Sequence, residues 1–191
     1  MSGAGPAGRL ALVVGPSGVG KDTLIGGARA ALASEGVVFA RREITRPAEA
    51  GGEAHAPVSE ADFAERQANG GYLLSWRAHG LGYGLPAALA DDLQAGRTVV
   101  ANVSRTVLDE ARARFPNLRI ISITADPAQL RARLVARGRE TPEEIDERVA
   151  RAASFKVEGD DVVSVSNDST PEAGIDAFIA AVRGPSGRDH P

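Results

Sequence analysis

Residues 15–22 read Gly-Pro-Ser-Gly-Val-Gly-Lys-Asp, directly after the apolar run Leu10-Ala11-Leu12-Val13-Val14. Glycines at these positions let the chain turn tightly and aim successive N–H groups at phosphate oxygens. From Thr23 to Ser34, Leu24, Ile25, Ala28, Ala31 and Leu32 recur at helical spacing, so a helix N-terminus follows the glycines and adds its partial positive charge. Buried strand, glycine loop and helix in that order constitute a phosphate-binding loop of the Gly-x-x-x-x-Gly-Lys type. The next residue is normally Ser or Thr; here it is Asp22. Only two of the 22 basic residues are lysines, Lys21 and Lys156, so an arginine-rich chain retains lysine at the phosphate position. The expected nucleotide contacts are Gly15, Pro16, Ser17, Gly18, Val19, Gly20, Lys21, Asp22 and Thr23, with Lys21 as a mobile charge on the outer phosphates.

The 191 residues suit a single domain with a real core. A net charge of −3 argues against a dedicated nucleic-acid binder, and the absence of cysteine excludes disulfides, thiolate catalysis and cysteine metal sites. No apolar run approaches the roughly 18 residues of a membrane span. The cytoplasm is the expected location. Residues 1–9 read as a flexible leader, and 184–191 as a flexible tail.

Between these ends, strand and helix signals alternate, which predicts an α/β fold with a mainly parallel sheet. Strands are expected at 37–41, 72–76, 98–101, 119–124 and 162–165, and helices at 86–95 and 106–114. Ser59-Glu60-Ala61-Asp62 suggests a capping box opening a helix toward Gly70. Asp126-Pro127 opens a helix to Arg137, broken by Gly138; Thr141-Pro142-Glu143-Glu144 opens another to about Phe155; Thr170-Pro171 opens the last, to about Arg183. Segment 40–85 is the most irregular and is where an acceptor-binding subdomain would sit.

Polar clusters stand away from the loop. They are Ile44-Thr45-Arg46-Pro47, the stretch Trp76 to Gly84, Arg137-Gly138-Arg139 with Arg148 and Arg151, and Ser166-Asn167-Asp168. Arg46 is expected to bind an acceptor phosphate, with a solvated surface arginine as the alternative. Tyr83, between Gly82 and Gly84, is expected to be exposed for a hydroxyl contact. Trp76 reads as core. His55 and His79 are candidate ligands or loop histidines bonded to backbone. Ser104 and Arg105 follow a strand end. Arginines flanking the break at Gly138 form a phosphate clamp, or solvated faces with i,i+4 partners such as Glu144–Arg148.

The order of these motifs over residues 10–183 resembles the guanylate kinase family, in Thr45-Arg46-Pro47, His79-Gly80, Tyr83-Gly84, Arg137, Arg148 and Asn167-Asp168. The resemblance implies a three-layer P-loop kinase core with strand order 2-3-1-4-5, a lid near 137–151 and Asn167 beside the adenine. Departures are informative: the family's second phosphate arginine is Glu49, its guanine-reading glutamate falls on Ser75, its Ser/Thr after Tyr-Gly is Leu85, and its strand-end acidic pair is Asn102 and Ser104. An unpaired buried hydrogen-bonding group costs about 1–3 kcal/mol, so guanylate kinase activity is not expected here.

The combined pattern is similar to that of the ribose 1,5-bisphosphate phosphokinases, a branch of that family. It comprises Gly15 to Asp22, Ile44-Thr45-Arg46, Leu74-Ser75-Trp76, His79 to Gly84, Asn102 to Arg105 and Arg137 to Glu140. This implies ATP and a sugar bisphosphate as substrates and Mg²⁺ as cofactor. It also implies Lys21, Arg137 and Arg148 as catalytic residues. Arg46, His55, His79, Tyr83, Ser104 and Arg105 are implied on the acceptor, and Asp22 near the metal, directly or through water. Another small-molecule kinase, guanylate kinase included, is the first alternative. A non-catalytic interaction module of the same fold is the second, disfavoured by the intact Gly20-Lys21.

Overall fold

The computed structural model describes residues 8–47 and 54–184. The expected leader up to Ala7, the tail from 185 and Glu49 lie outside these residues. The strands are β1 (Leu10–Val14), β2 (Val38–Phe39), β3 (Glu43–Ile44), β4 (Ala56–Pro57), β5 (Tyr72–Ala78), β6 (Leu81–Pro86), β7 (Val99–Asn102), β8 (Leu118–Thr124) and β9 (Val162–Ser166). The helices are α1 (Lys21–Ala33), α2 (Glu60–Ala68), α3 (Leu89–Gln94), α4 (Leu108–Arg114), α5 (Pro127–Arg137), α6 (Pro142–Ala153) and α7 (Pro171–Arg183).

Five strands form one sheet in the order β2-β7-β1-β8-β9. Numbered among themselves along the chain this is 2-3-1-4-5, the order the resemblance implies. Pairing is parallel at both ends, Val38 opposite Val99 and Ile120 through Thr124 opposite Val162 through Ser166. Every residue of β1 is buried, as its unbroken apolar run requires.

Backbone contacts divide the chain into two compact units. One comprises residues up to 12 and 33–119, and the other residues 13–32 and those from 120 onward.

The first unit contains the main surprise. Segment 40–85, expected to be irregular, carries a four-stranded sheet, β4-β3-β6-β5. β3 and β4 are two residues each, too short for a periodic signal. β6 was hidden by glycines: a Cβ at Gly82 would lie 2.8 Å from the Phe63 ring, and one at Gly84 2.3 Å from the Tyr72 ring. These glycines mark close ring packing against a strand, where a loop was expected. Phe63 and Tyr72 in turn pack on each other, with ring centroids 5.1 Å apart. The hairpin joining β5 and β6 turns at His79-Gly80, both at positive φ (52° and 75°), the backbone of a two-residue primed turn.

In the second unit the helix starts follow their caps. Asp126 accepts from the N–H groups of Ala128 and Gln129, with Pro127 in the first turn. Gly138, at φ 63°, ends α5 in the left-handed region. Thr141 and Glu144 form the expected capping box of α6. Back in the first unit, Ser59 caps α2 only partly as expected: its hydroxyl accepts from the Asp62 N–H and donates to the Asp62 carboxylate. Helices α5 and α6 pack through buried Leu130, Leu134 and Ile145.

Candidate active site

The glycine loop lies in the second unit. Lys21 Nζ donates to the carbonyls of Gly15 (2.6 Å) and Pro16 (3.0 Å), which holds the ammonium over the loop. Gly18 and Gly20 take φ values of 87° and 98°, conformations that L side chains resist. Val19 is fully buried and anchors the loop, whereas Ser17, Asp22 and Thr23 are exposed.

Asn167, expected beside the adenine, lies behind the glycine loop. It is only 6% exposed, and its amide Nδ2 donates to the Val19 carbonyl at 2.8 Å. A Cβ at Gly20 would come within 2.4 Å of that nitrogen. Its amide nitrogen thus supports the loop backbone. Asn167 is itself held by its N–H to the Thr124 carbonyl and by Arg133 Nη2, which donates to its carbonyl at 2.6 Å. Its neighbour Asp168 is held below the usual carboxylate range, first by the Ser166 hydroxyl and then by the Asp126 N–H.

Two of the predicted clamp arginines reach the same group. Arg137 Nη2 lies 2.6 Å and Arg148 Nη1 3.4 Å from one oxygen of Glu140, and Arg148 Nη1 also donates to Ser17 Oγ at 3.2 Å. The anticipated Glu144–Arg148 pairing gives way to this, because Glu144 is spent on its capping box.

The acceptor candidates lie in the first unit, where register sorts them onto two faces of the four-stranded sheet. Glu43, opposite Gly84, accepts from the Tyr72 hydroxyl (2.8 Å) and from Arg66 (2.5 Å) on the face covered by α2. Burial, then the Glu43 carboxylate, pushes the Tyr72 hydroxyl far above its ordinary pKa. Ser75, opposite Gly84, takes a hydrogen bond from Gln67 on this same face. Ser75 therefore does not bear on the opposite face, and Leu85 is fully buried core.

The opposite face carries Tyr83, Trp76 and the arginines flanking β3. Tyr83 is half-buried rather than exposed, because it stacks on Trp76 with centroids 5.4 Å apart and planes 4° from parallel. The Arg42 guanidinium lies over both rings, 5.8 Å from Trp76 and 5.4 Å from Tyr83. Arg42 was missed, although the alternation Arg42, Ile44, Arg46 around β3 could have found it.

His55, only 4% exposed, grips Arg46 at two points: Nε2 is 3.0 Å from the Arg46 carbonyl and Nδ1 is 3.5 Å from Nη2. The carbonyl can only accept and the guanidinium only donate, so the proton sits on Nε2. Arg46 Nε is buried with no partner among the described residues. Sequence reasoning had placed His55 and Arg46 separately; the structure joins them. It does not add His79, which stands exposed at the hairpin tip with its backbone role set by the turn. Ser104 caps the short 3-10 turn Arg105–Val107 through the Thr106 N–H, and Arg105 is exposed.

A ribose 1,5-bisphosphate phosphokinase PhnN from Acidiphilium cryptum is 52% identical over 174 residues, covering 91% of this chain and 91% of that protein. The chain belongs to the ribose 1,5-bisphosphate phosphokinase family. Within this family, a bifunctional ribose 1,5-bisphosphokinase-thymidine phosphorylase from Azorhizobium caulinodans is also 52% identical, over 177 residues; these are 92% of the chain but 26% of that relative. The chain thus spans about a quarter of the length of this larger relative. No protein-family profile matches the chain. Among solved structures, guanylate kinase from Anaplasma phagocytophilum superposes with a TM-score of 0.64 at 17% identity, over 93% of this chain and 86% of that one. That likeness concerns the phosphokinase fold alone. Among the described residues, no helix is long and apolar enough to cross a membrane, and no group of three or more His, Asp or Glu could hold a metal ion.

Proposed function

We propose that the chain transfers the γ-phosphoryl group of ATP to the C1 phosphate of ribose 1,5-bisphosphate, giving 5-phosphoribosyl 1-pyrophosphate and ADP in the cytoplasm. The observation that carries this reading is half-identity, along nine-tenths of both chains, to a relative of that name. The intact loop with Lys21 supports it further.

The nucleophile is a phosphate oxygen, already anionic at neutral pH, so no general base is required. That oxygen attacks the γ-phosphorus, a new P–O bond forms, and the bond to the β–γ bridging oxygen breaks as ADP leaves. Catalysis is then positioning plus charge neutralisation. Gly15 through Thr23 hold the donor, with Lys21 on its outer phosphates and Asn167 bracing the loop from behind. Arg137 and Arg148, in a lid near 137–151, neutralise charge on the transferring group. Residues 40–85 form the acceptor subdomain of a three-layer kinase core. In it Arg46, oriented by His55, and Tyr83, stacked with Trp76 and Arg42, hold the bisphosphate. Ser104, Arg105 and His79 are proposed on the periphery of the acceptor.

Mg²⁺ fits this donor set on one condition. Without a multi-carboxylate cluster among the described residues, the ion must be held mainly by ATP phosphates, with exposed Asp22 as the supporting carboxylate. When bound it supplies charge neutralisation on the triphosphate.

The test is an acceptor screen with ATP and Mg²⁺ followed by phosphorus NMR. Ribose 1,5-bisphosphate is expected to be converted far better than GMP. Efficient GDP formation without phosphoribosyl pyrophosphate would sink the assignment. No turnover of any acceptor, with ATP still bound, would favour the interaction-module alternative.

A further inference from the structure

Glu140 is the one buried acid in the α5–α6 region whose burial stability alone does not explain. Its side chain is 7% exposed, one oxygen meets both Arg137 and Arg148, and the other, Oε2, is buried with no partner among the described residues. The other ion pairs of these helices are of the surface kind: Arg131–Asp146 and Arg151–Glu147 leave all four side chains at least half exposed. Such solvent-exposed pairs contribute little to stability. A buried carboxylate carries a large desolvation penalty, which two partly exposed arginines offset poorly while one of its oxygens stays unpartnered among the described residues. A neutral side chain of the same size would satisfy the packing.

What Glu140 does achieve is geometric. Arg137 ends α5 and Arg148 lies on α6, and their like charges repel. A single carboxylate oxygen draws both guanidinium groups to one point, and Arg148 simultaneously reaches Ser17 of the glycine loop. We propose that Glu140 is a positioning residue, which converges Arg137 and Arg148 so that they act together on the outermost phosphate of the nucleotide. The inference rests on the functional reading above for the roles of the two arginines. Removing the charge while keeping the shape leaves only a neutral amide between the two guanidinium groups, their mutual repulsion is no longer compensated, and they separate. Misplacement of a catalytic group by about 1 Å costs on the order of a hundredfold in rate.

The test compares wild type with Glu140→Gln and Glu140→Asp by steady-state kinetics with ATP and ribose 1,5-bisphosphate, by thermal denaturation, and by calorimetric titration of ATP and of ADP without acceptor. The Gln variant is expected to lose about ten- to hundredfold in kcat, with KM for the acceptor within about threefold. Its melting temperature stays near wild type, and Asp recovers part of the rate. The ATP-over-ADP affinity ratio falls in Gln. A Gln variant with kcat within twofold of wild type, or one that melts early while keeping its rate, overturns the proposal. If wild type itself fails to turn over ribose 1,5-bisphosphate, the acceptor assignment fails, and the affinity ratio alone decides on Glu140: a lower ratio in Gln supports it, equal ratios overturn it.

Discussion

Replacing Asn167 by Ala would test whether the glycine loop is held from behind. The amide is 6% exposed and donates to the carbonyl of fully buried Val19 at 2.8 Å. Truncation removes that donor from a buried carbonyl, a change that costs about 1–3 kcal/mol. For a chain of this length each kcal/mol lowers the melting temperature by about 2–4 °C, so a loss of about 2–12 °C is expected. The functional effect follows from geometry: Gly20, whose absent Cβ would lie 2.4 Å from the same nitrogen, sits in the loop proposed to take the phosphates. ATP affinity should therefore fall with stability, which calorimetry and a thermal melt on the same protein would read together. Asn167→Asp sharpens the test, because it keeps the volume and turns a donor into an acceptor facing the Val19 carbonyl. It should be worse than Ala in both measurements. An Ala variant with unchanged melting temperature and ATP affinity, or an Asp variant milder than Ala, would refute the bracing role.

Lys21→Ala should nearly abolish turnover with circular dichroism unchanged, since its ammonium is held by the loop carbonyls of Gly15 and Pro16 at 2.6 and 3.0 Å; unaltered turnover would remove the phosphate-loop reading. Asp22→Ser should raise the Mg²⁺ concentration for half-maximal rate and lower kcat if the carboxylate supports the metal, whereas superimposable magnesium titrations would mean that Asp22, which lies in the first turn of α1, only complements the positive end of that helix. Tyr72→Phe should cost about 1.5–3 kcal/mol by removing a hydrogen bond to charged Glu43. The folded hydroxyl is raised above its ordinary pKa, so wild type should also lose stability as pH climbs past the ordinary tyrosine range. Denaturant melts across alkaline pH would read this, and the Phe variant should have a smaller slope. Gly84→Ala places a methyl 2.3 Å from the Tyr72 ring, so its melt should fall well below wild type, and an unchanged melt would contradict the packing described for β6.

The glycine loop and the capped helices of the second unit were legible because their information is contiguous. Gly15 through Lys21 specify the loop within a few residues, and Asp126, Thr141 and Thr170 announce their helices through caps that bind backbone two or three positions onward. The four-stranded sheet proposed to hold the acceptor was not, because it is made by partners far apart in the chain: Ile44 pairs with Tyr83 and Glu43 with Ala56. Gly82 and Gly84 broke the apolar alternation of β6, and the side chains that fill the space above them, Phe63 and Tyr72, lie elsewhere in the sequence. The same distance effect hid the surroundings of individual residues. Ser75 was weighed as a base-reading position, but only the register reveals that it shares a face with Gln67, while Arg42 and Tyr83 lie on the other. Asn167 is polar and follows a strand end, which suggests a ligand contact; its burial depends on Gly20 and Gly174, both of which leave room where any Cβ would collide with its amide group. Residue type thus picked out the polar candidates, and pairing register decides which of them share a face and which hold the others in place.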